Sequence, residues 1–152
     1  MDIIEQPKVR HKSFTYKTDI NWLGGRGGTL RSEGKPPLRV SSPPEFKGEP
    51  GVWTPEDLLV AAVEACHMAT FIAFAVKKQL PLISYESQTS GTLEFLDGHY
   101  RFTRIVVAPT IVVGNTATEA DVHALMQESH RHCIVANSIT AVVELNLRII
   151  IQ

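Results

Sequence analysis

Two cysteines are the residues of this chain best suited to do chemistry. They stand 67 positions apart, Cys66 in VEACHMATF and Cys133 in ESHRHCIVANS. An isolated helical cysteine is more often a small buried hydrophobe than a nucleophile, because a free thiol packs well in a core. Two other polar residues bear on the choice: Arg26 between the glycines of GGRGG, and Glu56 at the head of the segment that carries Cys66. A permanently charged guanidinium delivered into a confined place holds a thiolate, whereas in an exposed turn it is merely solvated. Glu56 suits the first turn of a helix for the dipole alone. On these residues by themselves the reading as buried spectators leads, and that of a working pair stays open.

Two tempting motifs fall away. GGRGG lacks the Gly-Lys-Ser/Thr ending and the following helix of a phosphate loop. HRHC puts His130, His132 and Cys133 together, with His67 and Cys66 as further donors, but the spacings match no zinc pattern. The histidines therefore read as peripheral, and neither a metal nor a cofactor is expected.

A chain of 152 residues is expected to be one domain, 1–152. Its 15 Lys and Arg against 16 Asp and Glu give a net charge of −1, with no excess to hold nucleic acid or an anionic membrane surface. The start, MDIIEQPKVRHK, has no basic segment followed by an apolar one, so the cytoplasm is the expected compartment. Two cysteines in a reducing compartment are no disulfide framework.

These residues need elements to position them. Residues from about 9 to 40 read as three short strands broken by GGRGG and EGKPP. A turn-rich stretch then leads to Thr54 as N-cap, Pro55 at the first helical position and Glu56 and Asp57 in the first turn, opening a helix over about 55–78. Only Glu64, His67 and Thr70 interrupt its apolar residues to about Lys78, so it must be covered on nearly all sides. The run Leu58 to Val76 approaches bilayer-spanning length, but Glu64, His67 and its alanines argue against a membrane span. A second subunit is the natural source of the missing cover. A hairpin over about 84–113 turns at Asp97-Gly98, a second helix over about 119–133 starts at Thr118 with Asp121 three residues on, and alternation over about 140–151 gives a final strand. The order is that of an α+β fold.

The chain resembles the OsmC/Ohr family, the osmotically inducible protein C and organic hydroperoxide resistance proteins. TPEDLLVAAVEACHM is similar to the family's N-P-E-x-L…A-A-x-x-A-C-F helix, ESHRHCIVANSI to its A-x-x-x-C-P-x-S segment, and GGRGG to the G-G-R-x-G turn of the hydroperoxide-resistance branch. The resemblance implies an intertwined homodimer, antiparallel sheets around a long central helix, and active sites at the subunit interface. It makes Cys66 the peroxide-attacking thiol, Cys133 the resolving thiol, and Arg26 and Glu56 the polar pair that organises the site. Ten residues of helix separate Glu56 from Cys66, about 15 Å at the helical rise, so Glu56 can reach the thiol only from a second copy of the chain.

The implied activity is a thiol peroxidase for organic hydroperoxides in oxidative stress defence. It passes through a Cys66 sulfenic acid and a Cys66–Cys133 disulfide that a dithiol reductant, of the lipoyl type among others, reopens. The alternatives are a non-catalytic domain that binds a small apolar ligand, and a metal-binding stress protein. Three positions depart from the family: Ile134 stands where Pro is usual, Ala136 where Ser is frequent, and His67 where an aromatic follows the first cysteine. The first two bear on the backbone that presents Cys133, the third on substrate preference.

Overall fold

Glycine conformation sets the opening of the chain in the computed structural model, which describes residues 12–152. Strands β1 (Asp19–Trp22), β2 (Gly27–Arg31) and β3 (Leu38–Ser41) form an antiparallel sheet in that order. Between β1 and β2 the backbone turns at Gly24 (φ 96°) and Gly25 (φ 54°), a region that a Cβ disfavours. Of the extended chain expected over 9–40, Val9, Arg10 and His11 lie outside the described residues. The single domain expected over 1–152 is built of two compact units, the second being Pro55–Gln152.

The second unit opens with α1 (Pro55–Lys77), one residue shorter than expected. Pro55 lacks an N–H that the first turn would leave unpaired anyway, and Glu56 and Asp57 suit the positive end of the helix dipole. The helix stops in a Schellman arrangement: Leu80 N–H reaches Ala75 O at 2.9 Å and Gln79 N–H reaches Val76 O at 3.1 Å. Gln79 takes the left-handed conformation usually left to glycine (φ 55°), and Pro81 forbids a restart.

Strands β4 (Leu82–Leu96) and β5 (His99–Val113) form a hairpin. Asp97 (φ 53°) and Gly98 (φ 85°) supply the two positive angles of its tight turn. Helix α2 (Glu119–His132) starts at a capping box in which Thr118 Oγ1 accepts the Asp121 N–H and the Asp121 carboxylate accepts the Thr118 N–H.

The end of the chain differs from expectation. The strand expected over about 140–151 is two strands, β6 (Val142–Leu145) and β7 (Arg148–Ile151). Both run parallel to β5, making this sheet mixed rather than antiparallel throughout. Direction follows from the crossover: the chain leaves the end of β5, returns through α2, and re-enters alongside the strand it left. The break has a local cause. Asn146 N–H bonds Val107 O at 2.8 Å, and the next rung of a parallel ladder would return an N–H from residue 109 to Asn146. That residue is Pro109, which has none.

The core lies between β5 and the two helices. Alternate β5 residues Ile105, Val107, Pro109, Ile111 and Val113 are buried. Against them α1 contributes Val63, His67, Phe71 and Ala75, spaced by four, and α2 contributes Val122, Leu125 and Met126. Each large apolar side chain so buried stabilises the fold by about 1.5–3 kcal/mol. Beyond this stripe the chain by itself leaves α1 open, with Met68 and Val76 exposed.

Candidate active site

Cys66 sits midway along α1 and Cys133 caps the C-terminus of α2, and the fold of the second unit brings the two thiols into hydrogen-bond contact, both of them free. The junction after α2 explains how. Cys133 leaves the helix with φ −67° and ψ 109°. Its carbonyl accepts the Asn137 N–H at 3.0 Å, and Val135 O accepts the Ser138 N–H at 3.0 Å. A short turn therefore begins at Cys133, and its first N–H groups have no carbonyl partner within it. Those of Ile134 and Val135 meet the Cys66 sulfur, and those of Val135 and Ala136 meet the Cys133 sulfur.

This arrangement separates the two thiols in acidity. Burial pushes Cys66 up, but the Val135 N–H, the Cys133 thiol, the Thr70 hydroxyl and the Ile134 N–H together hold it below its ordinary value. Cys133 goes the other way. Burial first, then the sulfur and charge of Cys66, push it up to about 11 against the N–H groups of Ala136 and Val135. Of the two thiols Cys66 is therefore the one that ionises more readily, and its sulfur is placed to accept the S–H of Cys133.

The sequence places His67 among peripheral histidines, and the structure corrects this. It is fully buried, with Nδ1 2.8 Å from Val63 O, Nε2 2.9 Å from His130 Nδ1, and Nδ1 again 3.4 Å from Cys133 Sγ. A carbonyl only accepts, so Nδ1 of His67 carries the hydrogen; Nε2 then accepts, and His130 Nδ1–H donates to it. Burial first, and the neighbouring His130, hold His67 below its ordinary value. A sequence signal existed: His67 occupies the stripe Val63, His67, Phe71, Ala75, and a histidine on a buried stripe must find partners. Its partners lie on other elements and gave no sign. His132 is exposed, and among the described residues no group of three or more His, Cys, Asp or Glu is placed to hold a metal.

The other expected site residues lie apart from this cluster or in the other unit. Glu56 is ten residues up α1 from Cys66, and its Oε2 is buried with no hydrogen-bond partner among the described residues. Arg26 follows Gly25 in the β1–β2 turn of the first unit, exposed, with its carbonyl accepting the Ser42 N–H at 3.3 Å. Ile134 replaces the proline that the family resemblance leads one to expect, yet the extended angles of Cys133 are those a following proline demands. The exchange leaves that backbone intact and adds an N–H beside Cys66.

Comparison with known proteins agrees with this architecture. The chain is 29% identical over 133 residues to the uncharacterized protein YmaD of Bacillus subtilis, covering 84% of this chain and 87% of that one. Its fold superposes on an OsmC-like protein of unknown function from Vibrio cholerae with a TM-score of 0.82 at 22% identity, covering 89% and 99% of the two chains. It also superposes on the organic hydroperoxide resistance protein OsmC of Legionella pneumophila with a TM-score of 0.73 at 21% identity, covering 92% and 99%. The model of the OsmC-like protein family matches residues 48–148, the stretch that holds Glu56, both cysteines and the β4–β5 hairpin. The chain belongs to the OsmC-like protein family.

Proposed function

We propose that this protein is a thiol-dependent peroxidase that reduces organic hydroperoxides and serves in oxidative stress defence. The observation that carries the reading is the cluster of donors on the Cys66 sulfur: two backbone N–H groups, a hydroxyl and a second thiol. Such donors favour the thiolate, which is the form that attacks a peroxide. The Cys66 thiolate takes the distal peroxide oxygen, becoming a sulfenic acid, and the O–O bond breaks to release an alkoxide that picks up a proton as alcohol. Cys133 thiol then displaces the sulfenic hydroxyl, forming the Cys66–Cys133 disulfide and water. A dithiol returns the pair to two thiols and becomes a disulfide itself.

Three further roles belong to the same reading. Arg26 and Glu56 form the polar pair that organises the thiolate. The chain works as a homodimer, for which the uncovered apolar faces of α1 speak. An apolar site suits alkyl hydroperoxides better than hydrogen peroxide, and Ala65, Ala69 and Ile134, close to the cysteines in sequence, are exposed.

The test is an alkyl hydroperoxide assay with dihydrolipoamide, thioredoxin or glutathione as reductant, comparing the natural chain with Cys66→Ser. Turnover lost in Cys66→Ser supports the reading. Equal rates in both proteins, or none in either, remove it and favour a ligand-binding member of the family.

A further inference from the structure

The peroxidase chemistry above makes no use of the pair formed by buried His67 and half-buried His130, although His67 touches a reacting sulfur. We propose that His67 is a further catalytic residue: its Nδ1–H is the hydrogen-bond donor that receives the Cys133 thiolate when the disulfide forms or opens, with His130 as the positioning residue that fixes its tautomer. The geometry is a directed chain. His130 borders an open cleft of about 490 Å³ lined also by Arg131, Asn137 and Ala141. Its Nδ1–H donates to His67 Nε2 at 2.9 Å, and His67 presents Nδ1–H to Val63 O at 2.8 Å and to Cys133 Sγ at 3.4 Å. The bond to His130 commits Nε2 to accepting, so the hydrogen stays on the nitrogen that faces the sulfur.

The donor matters at one stage of the cycle. In the reduced protein Cys133 is neutral and gives its S–H to Cys66, so it asks nothing of His67. Once Cys66 is a sulfenic acid its negative charge is gone, and Cys133 must ionise to displace hydroxide from it. The proton that Cys133 loses and the hydroxide that leaves Cys66 make one water. In the reverse sense, when a reducing dithiol attacks Cys66, Cys133 departs as thiolate, and a leaving thiol of lower pKa leaves faster.

The groups facing Cys133 at that moment are Cys66 and His67 from α1, the N–H groups of Val135 and Ala136, and Tyr85 from β4 with Glu64 beside it. Tyr85 is pushed up to about 12, by burial first and by Glu64, and stays neutral. Beyond Cys66 and the two backbone N–H groups, His67 is a donor within hydrogen-bond distance of the sulfur.

The role in turnover rests on the peroxidase reading, but the donor itself is testable without peroxide. In a Cys66→Ser background Cys133 is the one remaining thiol, and its ionisation is read from thiolate absorbance near 240 nm across pH. His67→Asn keeps an N–H near the Nδ1 position, and His67→Leu has the same volume without it. Cys133 should ionise about one pH unit lower in the Asn than in the Leu protein. Coincident titrations would overturn the proposal. Nitrogen NMR of the unsubstituted protein gives a second check that needs no variant: His67 carrying its hydrogen on Nδ1 supports the donor, and on Nε2 excludes it. A chain that passes both tests yet reduces no peroxide would remove the peroxidase reading and leave the His67–Cys133 pair standing.

Discussion

The backbone N–H of Val135, on the turn that follows α2, is bonded to the sulfur of Cys66 in the middle of α1. A thiol on one helix is thus tuned by main chain at the end of another. Because main-chain donors survive side-chain exchange, the site tolerates change at Ile134 and Val135 as long as their N–H groups remain.

Proline is the substitution that does not spare them. Ile134→Pro fits the extended angles of Cys133 but deletes one donor to Cys66. In a Cys133→Ser background its thiolate absorbance should titrate about half to one pH unit higher than with Ile134 in place. An unmoved titration would show that the Ile134 N–H gives the thiolate nothing.

His67 predicts the acid limb of stability. Its folded pKa lies below its ordinary 6.5, so as pH falls through that value the unfolded chain takes a proton that the folded chain refuses. The unfolded state then binds more protons, and stability drops with falling pH. Urea unfolding from pH 7.5 to 5 should show this slope, and His67→Phe should flatten it. The exposed Asp121 and Glu144, both held low by Thr118 and Arg104 respectively, act only below their ordinary 3.8 and 4.5. A slope unaltered in His67→Phe would assign it elsewhere.

The alkaline limb carries the opposite sign. Cys133 is pushed up to about 11 and Tyr85 to about 12, burial being the first cause of each. Above their ordinary values the folded chain holds protons that the unfolded chain has lost, so stability falls as pH rises from about 9 toward 12. Cys66, held below its ordinary 9.0, acts in the opposite sense only up to about pH 10, beyond which both states have released its proton. Tyr85→Phe should make unfolding less pH-dependent above pH 10, and a parallel curve would refute the assignment.

Gly48 is required by space. A Cβ there would lie 1.4 Å from Ser42 O and 2.2 Å from Ser42 C, and that backbone is held in place because Gly48 N–H and Phe46 N–H both bond Pro43 O. Gly48→Ala should cost about 1–3 kcal/mol or more through forced backbone movement. Limited proteolysis should find new cleavage between Ser42 and Trp53. An unchanged digest would mean the loop has another conformation at little cost.

Glu56 and Cys66 are too far apart on α1 to share one site within a chain. If each site takes Glu56 of the partner subunit, as the proposed function requires, a heterodimer of Glu56→Ala with Cys66→Ser should keep about half the natural activity, since both defects then fall in one site. Near-zero activity would mean that each site uses its own Glu56.

The sequence alone determined the elements whose ends are signalled within a few residues. Thr54, Pro55 and the two acids start α1, Asp97-Gly98 turns the hairpin, and Thr118 with Asp121 caps α2. Each is a short-range hydrogen-bond or dihedral requirement, so the residues that need it are neighbours. The two thiols were legible as candidates by type, and by resemblance as a pair. Only the tertiary structure decided the rest. The final strand breaks because Pro109, on a different strand, withholds one N–H. His67 is an apolar-stripe residue until α2 brings His130 and Cys133 against it. The acidity of Cys66 is set by N–H groups that folding alone delivers. These depend on which distant backbone groups meet, and spacing along a chain carries no record of that.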